Sequence, residues 1–227
     1  MLYIVPTPIG NLGDITLRAL EVLKSCDGII CEDTRRTSTL LNHYQIKKQL
    51  IILNDFNEFK IVPQIIQMLQ DGQNLALVSD AGTPLISDPG YKLVRECIHQ
   101  EIEVDSLPGP SSVITAITLS GLPPDKFMFL GYPPEKPGHR LKFFQNIRDR
   151  EYNGLKATSI IFVSPHKLIK TLQDMKEVFG DIEIVLAHEL TKIHQSVEKK
   201  KISQWLETLT NPPAGGPKGE YILLFRS

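Results

Sequence analysis

The sequence has no apolar run approaching the ~20 residues that a membrane-spanning helix needs. Its first six residues, Met1-Leu2-Tyr3-Ile4-Val5-Pro6, are too short an apolar stretch for a secretory signal and have no basic flank. A membrane or exported protein is therefore not expected, and the cytoplasm is the default. Charge of one sign is also lacking: 25 Lys+Arg against 26 Asp+Glu leave a formal net charge of -1. No global positive field exists to draw a polyanion, so contact with a nucleic acid must come from local patches. Cysteine is scarce, with Cys26, Cys31 and Cys97 forming an odd set without metal-ligand spacing. That excludes a disulfide framework and reads as reduced, buried thiols. His43, His99, His188 and His194 show no metal spacing either, and no metal is expected. The first loop has glycines at Gly10 and Gly13 only, short of the Rossmann set of three, and no Walker lysine occurs anywhere. Nicotinamide and flavin enzymes are disfavoured, and the P-loop reading falls.

What the chain does have is enough apolar residues, 41% of 227, to bury one large core or two smaller ones. Almost continuously apolar runs at 2–5, 28–31, 50–53, 75–78 and 103–107 read as strands covered on both faces. Leu17, Leu20 and Leu23, then Ile61, Ile65, Met68 and Leu69, then Leu93, Cys97 and Ile98 fall between them at helical spacing. This is a βαβ series, hence a mainly parallel sheet. Pro63 sits near the front of its helical pattern, which predicts a late start for that helix. After Gly121-Leu122-Pro123-Pro124 a second block has candidate strands at 127–130, 159–163, 182–187 and 221–225, and helices near 141–148, 167–179 and 202–209. The fold class is α/β with two domains, 1–117 and 118–227, the second with a mixed sheet; the helical stretch 113–120 could join either. Asn211-Pro212-Pro213-Ala214-Gly215-Gly216-Pro217 is a loop by composition. Lys199-Lys200-Lys201 reads as a solvated face, and Trp205, in step with Ile202, Leu206 and Leu209, as core.

Ligands of open parallel sheets collect beyond the carboxyl ends of the strands. Those positions hold Pro6-Thr7-Pro8-Ile9-Gly10-Asn11-Leu12-Gly13-Asp14, Glu32-Asp33-Thr34-Arg35-Arg36, Asn54-Asp55, the twelve-residue loop Ser79-Asp80-Ala81-Gly82-Thr83-Pro84-Leu85-Ile86-Ser87-Asp88-Pro89-Gly90, and Pro108-Gly109-Pro110-Ser111-Ser112. The long loop combines glycines for close approach, prolines for a preset shape, carboxylates and hydroxyls. A plain turn rarely needs so many special residues, so it reads as a ligand loop.

With these motifs in order, joined by Ser164-Pro165-His166 and Glu189-Leu190-Thr191-Lys192, the chain resembles the ribosomal RNA small subunit methyltransferase I family of the tetrapyrrole methylase superfamily. The resemblance covers essentially the whole chain. It implies two α/β domains with S-adenosylmethionine in the cleft between them, usually in a homodimer, and 2'-O-methylation of a cytidine in small-subunit (16S) ribosomal RNA. By resemblance, the cofactor positions are Pro8, Ile9, Gly10, Asp80, Gly82, Thr83, Ser111, Ser112, Leu186 and Ala187. Asn11, Arg35, Arg36, Arg140, His166 and Lys167 are assigned to the RNA of the 30S subunit. Three departures stand out: Val163 where the family usually has a glutamate, no histidines between Asn54 and Glu58, and an end just after the last strand without the family's common extension.

Methyl transfer from a sulfonium is an in-line displacement that demands positioning, and a ribose hydroxyl needs help to lose its proton. Asp14, Glu32, Asp33, Asp55 and Asp88, with His166, are the candidate bases, and the sequence does not choose among them. Two alternatives stand beside this reading. A methyltransferase of the same fold could act on a tetrapyrrole or other small acceptor, or the chain could be a catalytically silent RNA-binding or assembly factor.

Overall fold

The computed structural model describes residues 1–152, 154, 156–210 and 216–226. The chain divides into two compact units, Met1–Ser111 and Ser112–Ser227. The division falls a few residues before position 117, and the helical stretch that the sequence left open goes with the second unit.

The first unit holds a five-stranded sheet built from β1 (Leu2–Ile4), β2 (Gly28–Cys31), β3 (Gln49–Ile52), β4 (Leu75–Leu77) and β5 (Val104–Ser106), in the order β3-β2-β4-β1-β5. Every pairing is parallel, which puts all five carboxyl ends on one edge. The central strands are apolar on both faces because helices cover both. One core gathers Leu2, Ile4, Ile65, Leu75 and Leu93, and another Val5, Leu23, Ile29, Ala76 and Leu107. The helices are α1 (Leu17–Ser25), α2 (Thr34–His43), α3 (Glu58–Gln70) and α4 (Tyr91–His99).

Two local expectations are corrected. The third helix does not start late: α3 begins at Glu58 and carries Pro63 inside it. The turn before it is held independently of Pro63, by Glu58 N donating to Asn54 O at 2.9 Å and Ile61 N to Asn57 O at 3.1 Å. The one helical hydrogen bond that the proline removes has its acceptor on Phe59, an exposed residue of the first turn. Helix α2 lies on a stretch not read as helical. Its signals are the Asp33 cap, whose Oδ1 accepts from Arg35 N at 2.9 Å, and Thr37, Leu40 and Leu41 turned inward.

The second unit holds β6 (Phe127–Phe129), β7 (Thr158–Val163), β8 (Glu183–His188), β9 (Ser196–Lys201) and β10 (Tyr221–Phe225) in the order β6-β7-β10-β8-β9. β6 and β7 run parallel and the rest antiparallel, which makes the sheet mixed. Its helices are α5 (Ser112–Leu119), α6 (Pro137–Tyr152), α7 (Leu168–Phe179) and α8 (Ile202–Thr210). Phe144, Ile161, Leu172, Leu223, Phe225 and Trp205 share one core. β9 escaped the sequence reading because it is a polar edge strand, and lysines on edges discourage further pairing. Lys199 pairs with Glu183 at 2.7 Å and Lys200 with Glu198 at 2.7 Å. Of the expected 211–217 loop, residues 211–215 lie outside the described residues. No described helix is long and apolar enough to cross a membrane.

Candidate active site at the carboxyl ends of the first sheet

Three of the strand-end loops are laced into one surface. Thr7, three residues beyond the end of β1, forms an isolated antiparallel bridge with Gly82. Its N–H donates to Gly82 O at 2.9 Å and its carbonyl accepts from Gly82 N at 3.0 Å. The Thr7 hydroxyl donates to Ser79 O, the Ser79 hydroxyl to Gly82 O, both at 3.1 Å, and the Thr83 hydroxyl to Pro110 O at 3.0 Å. Thr7 and Ser79 are buried, so these bonds satisfy groups that would otherwise be costly to bury.

Glycine is required at two crossings. Gly82 has φ +84°, and a Cβ there would stand 3.2 Å from Ile9 Cγ2; at Gly109 a Cβ would meet Pro6 Cβ at 2.7 Å. Leu85 and Ser87 also hold positive φ, 74° and 69°, strain of the kind that persists where the surroundings over-determine a loop. Asn11 caps a short 3-10 turn, accepting from Gly13 N at 3.0 Å, and the Tyr44 hydroxyl anchors the same turn on Leu12 O at 2.6 Å.

Carboxylates from β2 and the long loop converge here. Asp80 Oδ1 accepts from Asp33 N at 3.3 Å, and Asp80 Oδ2 lies 3.4 Å from Arg36 Nε. Asp33 is gripped by the Arg35 side chain, Oδ2 to Nη2 at 2.6 Å. Hydrogen bonds from the Arg35 side chain and backbone hold its carboxyl down at about 2. Asp88 goes the other way: burial first, then the charges of Glu32 and Asp80, push it up to about 6. Burial and Asp80 also raise Glu32. These neighbours therefore differ in ionisation, Asp33 being held as an anion that caps α2 and Asp88 as a carboxyl whose proton is retained to higher pH. Between the first loop, α2 and the long loop lies a cavity of about 90 Å³ lined by Thr7, Pro8, Leu12, Arg36, Leu40 and Asp80 among others.

Of the residues singled out from the sequence, Pro8, Ile9, Gly10, Asn11, Asp14, Glu32, Asp33, Arg35, Arg36, Asp80, Gly82, Thr83 and Asp88 belong to these loops. Ser111 and Ser112 straddle the division between the units. Asp55 lies in the first unit, in the turn between β3 and α3, and the others lie in the second unit. Leu186 and Ala187 are buried in β8, whose two edges are both hydrogen-bonded. His166 and Lys167 sit exposed on the 3-10 turn Pro165–Lys167. Arg140 is only 3% exposed. Its Nε donates to Asp174 Oδ2 at 2.6 Å and its Nη1 to Glu135 O at 3.0 Å, so much of its donor capacity is engaged within the protein. Thr7 and Ser79, which fasten the surface, were not singled out; their only sequence signal is a hydroxyl beside a proline or aspartate just past a strand.

Comparison with known proteins agrees with this geometry. Residues 1–205 match the family described as Tetrapyrrole (Corrin/Porphyrin) Methylases. The chain is 45% identical over 203 residues to "Ribosomal RNA small subunit methyltransferase I" of Thermotoga maritima, covering 89% of each. It is also 45% identical to the protein of that name from Vibrio cholerae, over 99% of this chain and 76% of the relative. Among solved structures, diphthine synthase superposes with a TM-score of 0.68 at 13% identity, over 98% of this chain and 88% of the other. Uroporphyrin-III-C-methyltransferase from Thermus thermophilus gives 0.65 at 18%, over 98% and 93%. These two support the fold alone. The laced loops, the two α/β units and the identity to these relatives together place the chain in the ribosomal RNA small subunit methyltransferase I family, within the tetrapyrrole methylases.

Proposed function

We propose that the chain transfers a methyl group from S-adenosylmethionine to the 2'-hydroxyl of a cytidine in small-subunit ribosomal RNA. The observation that carries the reading is the fastened loop surface of the first unit, in a chain that shares 45% of its residues with enzymes named for methylation of this RNA.

The residues present fit the donor. The close approaches of Gly82 to Ile9 and of Gly109 to Pro6 fix the shape of the loops that a nucleoside would meet. The carboxylates of Glu32, Asp80 and Asp88, with Asp80 near enough to push the other two up, provide a negative field suited to a sulfonium cation. Pro8, Ile9, Gly10, Asp80, Gly82, Thr83 and Ser111, all of the first unit, would hold the donor. When bound, S-adenosylmethionine supplies an electrophilic methyl group.

The remaining work falls to this chain. Asp88, at about 6, is ionised at the pH of a cell yet close enough to neutrality to accept the proton that the ribose hydroxyl loses. Asp33, at about 2, is too weak a base and serves instead to orient Arg35. Arg35 and Arg36, 88% and 60% exposed at their side chains, offer guanidinium groups to the phosphates.

The test is to incubate the chain with radiolabelled donor and small subunits lacking the modification. One labelled nucleotide resistant to alkaline hydrolysis is expected, because a 2'-O-methyl group blocks attack on the adjoining phosphate. Label on a base, or none, would defeat the proposal.

A further inference from the structure

A separate cavity lies wholly within the second unit. β6 and β7 are the one parallel pair of its sheet among the described residues, and the carboxyl ends of parallel strands are where open sheets collect ligands. At those ends is a cavity of about 340 Å³, at the small end of the range typical of ligand sites. Its apolar lining includes Tyr132, Phe162 and Val163, and its polar lining Arg140, Ser164 and Lys167.

The local chain holds this lining stiffly. Leu130 N donates to Ile160 O at 2.9 Å and Phe162 N to Gly131 O at 3.0 Å, so β6 stays paired until Gly131 turns it away at φ +65°. Pro133 and Pro134 then fix the path with little freedom left to lose. Tyr132 is 62% exposed, its ring 5.4 Å from that of Phe162 at 60°. Arg140 is immobilised by its bonds to Asp174 and Glu135. Lys167 closes the turn after β7, its N–H on Ser164 O at 2.9 Å. An aromatic face, a hydroxyl and an exposed ammonium within one nucleotide-sized space match a base, a ribose and a phosphate. Val163 makes the wall apolar, which suits the face of a base rather than a charged group.

We propose that this cavity takes one unpaired nucleotide of an RNA strand, its base against Tyr132 and Phe162 and its phosphate toward Lys167. The inference rests on the RNA-methylation reading for the choice of polymer, but binding tests it without methyl transfer. Full-length wild type, Tyr132→Ala, Tyr132→Phe and Lys167→Ala chains are compared for three quantities: affinity for a short fluorescent single-stranded RNA across a salt series, KM for small subunits, and affinity for S-adenosylmethionine by calorimetry. Loss of the stacking ring should weaken RNA binding and raise KM by roughly tenfold or more, while Tyr132→Phe binds as wild type. Lys167→Ala should lower the salt dependence by about one phosphate contact. Donor affinity and melting temperature should not move. A Tyr132→Ala chain that matches wild type in RNA affinity and KM, or that loses donor and RNA affinity together, overturns the inference. If Tyr132→Ala loses RNA affinity but the wild type labels no RNA, the cavity stands and the methylation reading falls.

Discussion

Asp88→Asn isolates the electrostatic strain of the strand-end site. A rise from 3.8 to about 6 corresponds to roughly 3 kcal/mol between the two protonation states. Asp88 is only half-buried, so solvent screening leaves about 1 to 1.5 kcal/mol as a realistic contribution. The sign follows from proton counting. Between about pH 4 and pH 6 the folded chain keeps a proton that the unfolded chain has released, so stability falls as pH rises through that window and is level above it. Asparagine cannot ionise and lacks this loss. In urea unfolding, Asp88→Asn should therefore equal wild type near pH 4 and exceed it by about 1 to 1.5 kcal/mol at pH 7.5. The same substitution should abolish the rise of kcat/KM through pH 6 while leaving donor affinity within a few-fold. Parallel stability curves for the two chains from pH 4 to pH 8 would refute the claim that burial and the neighbouring Glu32 and Asp80 carboxylates oppose ionisation of Asp88.

Other substitutions probe the scaffold. Gly109→Ala sets a methyl group 2.7 Å from Pro6 Cβ, and overpacking of this kind costs about 1 to 3 kcal/mol; calorimetry should show weaker donor binding, and unchanged melting and affinity together would contradict the close approach. Arg140→Met leaves the Asp174 carboxylate, 16% exposed, without its cation, for a loss of about 3 to 5 kcal/mol in urea unfolding. Adding Asp174→Leu should recover most of it, and a double variant no better than the single would count against the pairing. Burial pushes all three thiols up, Cys97 to about 11, so a thiol-reactive disulfide reagent at neutral pH should modify none of them in the folded chain and all three in denaturant. Rapid reaction of the folded chain would show that one is accessible.

Much of the fold was legible because it depends on local pattern. Strands such as Gly28–Cys31 and Leu75–Leu77 are apolar throughout, which only a parallel sheet covered on both faces accommodates. The candidate site loops announced themselves through glycine and proline at strand ends. The sequence was less informative where the pattern is weak or the outcome depends on distant partners. β9 carries lysines on an edge and so lacks an apolar signature, and α2 is mostly polar with its stop and start set by caps. Pro63 suggested a boundary, but the turn before it is held by hydrogen bonds to Asn54 and Asn57 that do not involve the proline.

The sequence by itself determined the class of sheet, the edge that carries the glycine- and proline-rich loops and the family to which the chain belongs, since each follows from residue types in order along the chain. Only the tertiary structure decided what those residues do to one another. It bridged Thr7 to Gly82 across 75 positions, buried Arg140 against Asp174, and set Asp33 and Asp88, both ordinary aspartates in sequence, at about 2 and about 6. The reason is that a carboxylate's charge is governed by burial and by partners within a few ångströms, and for Asp88 these come from two different strand ends. Among candidate bases that the sequence did not rank, Asp88 thus became a half-buried acid near neutrality, Asp33 a clamped anion and Glu32 a carboxyl raised by burial and Asp80.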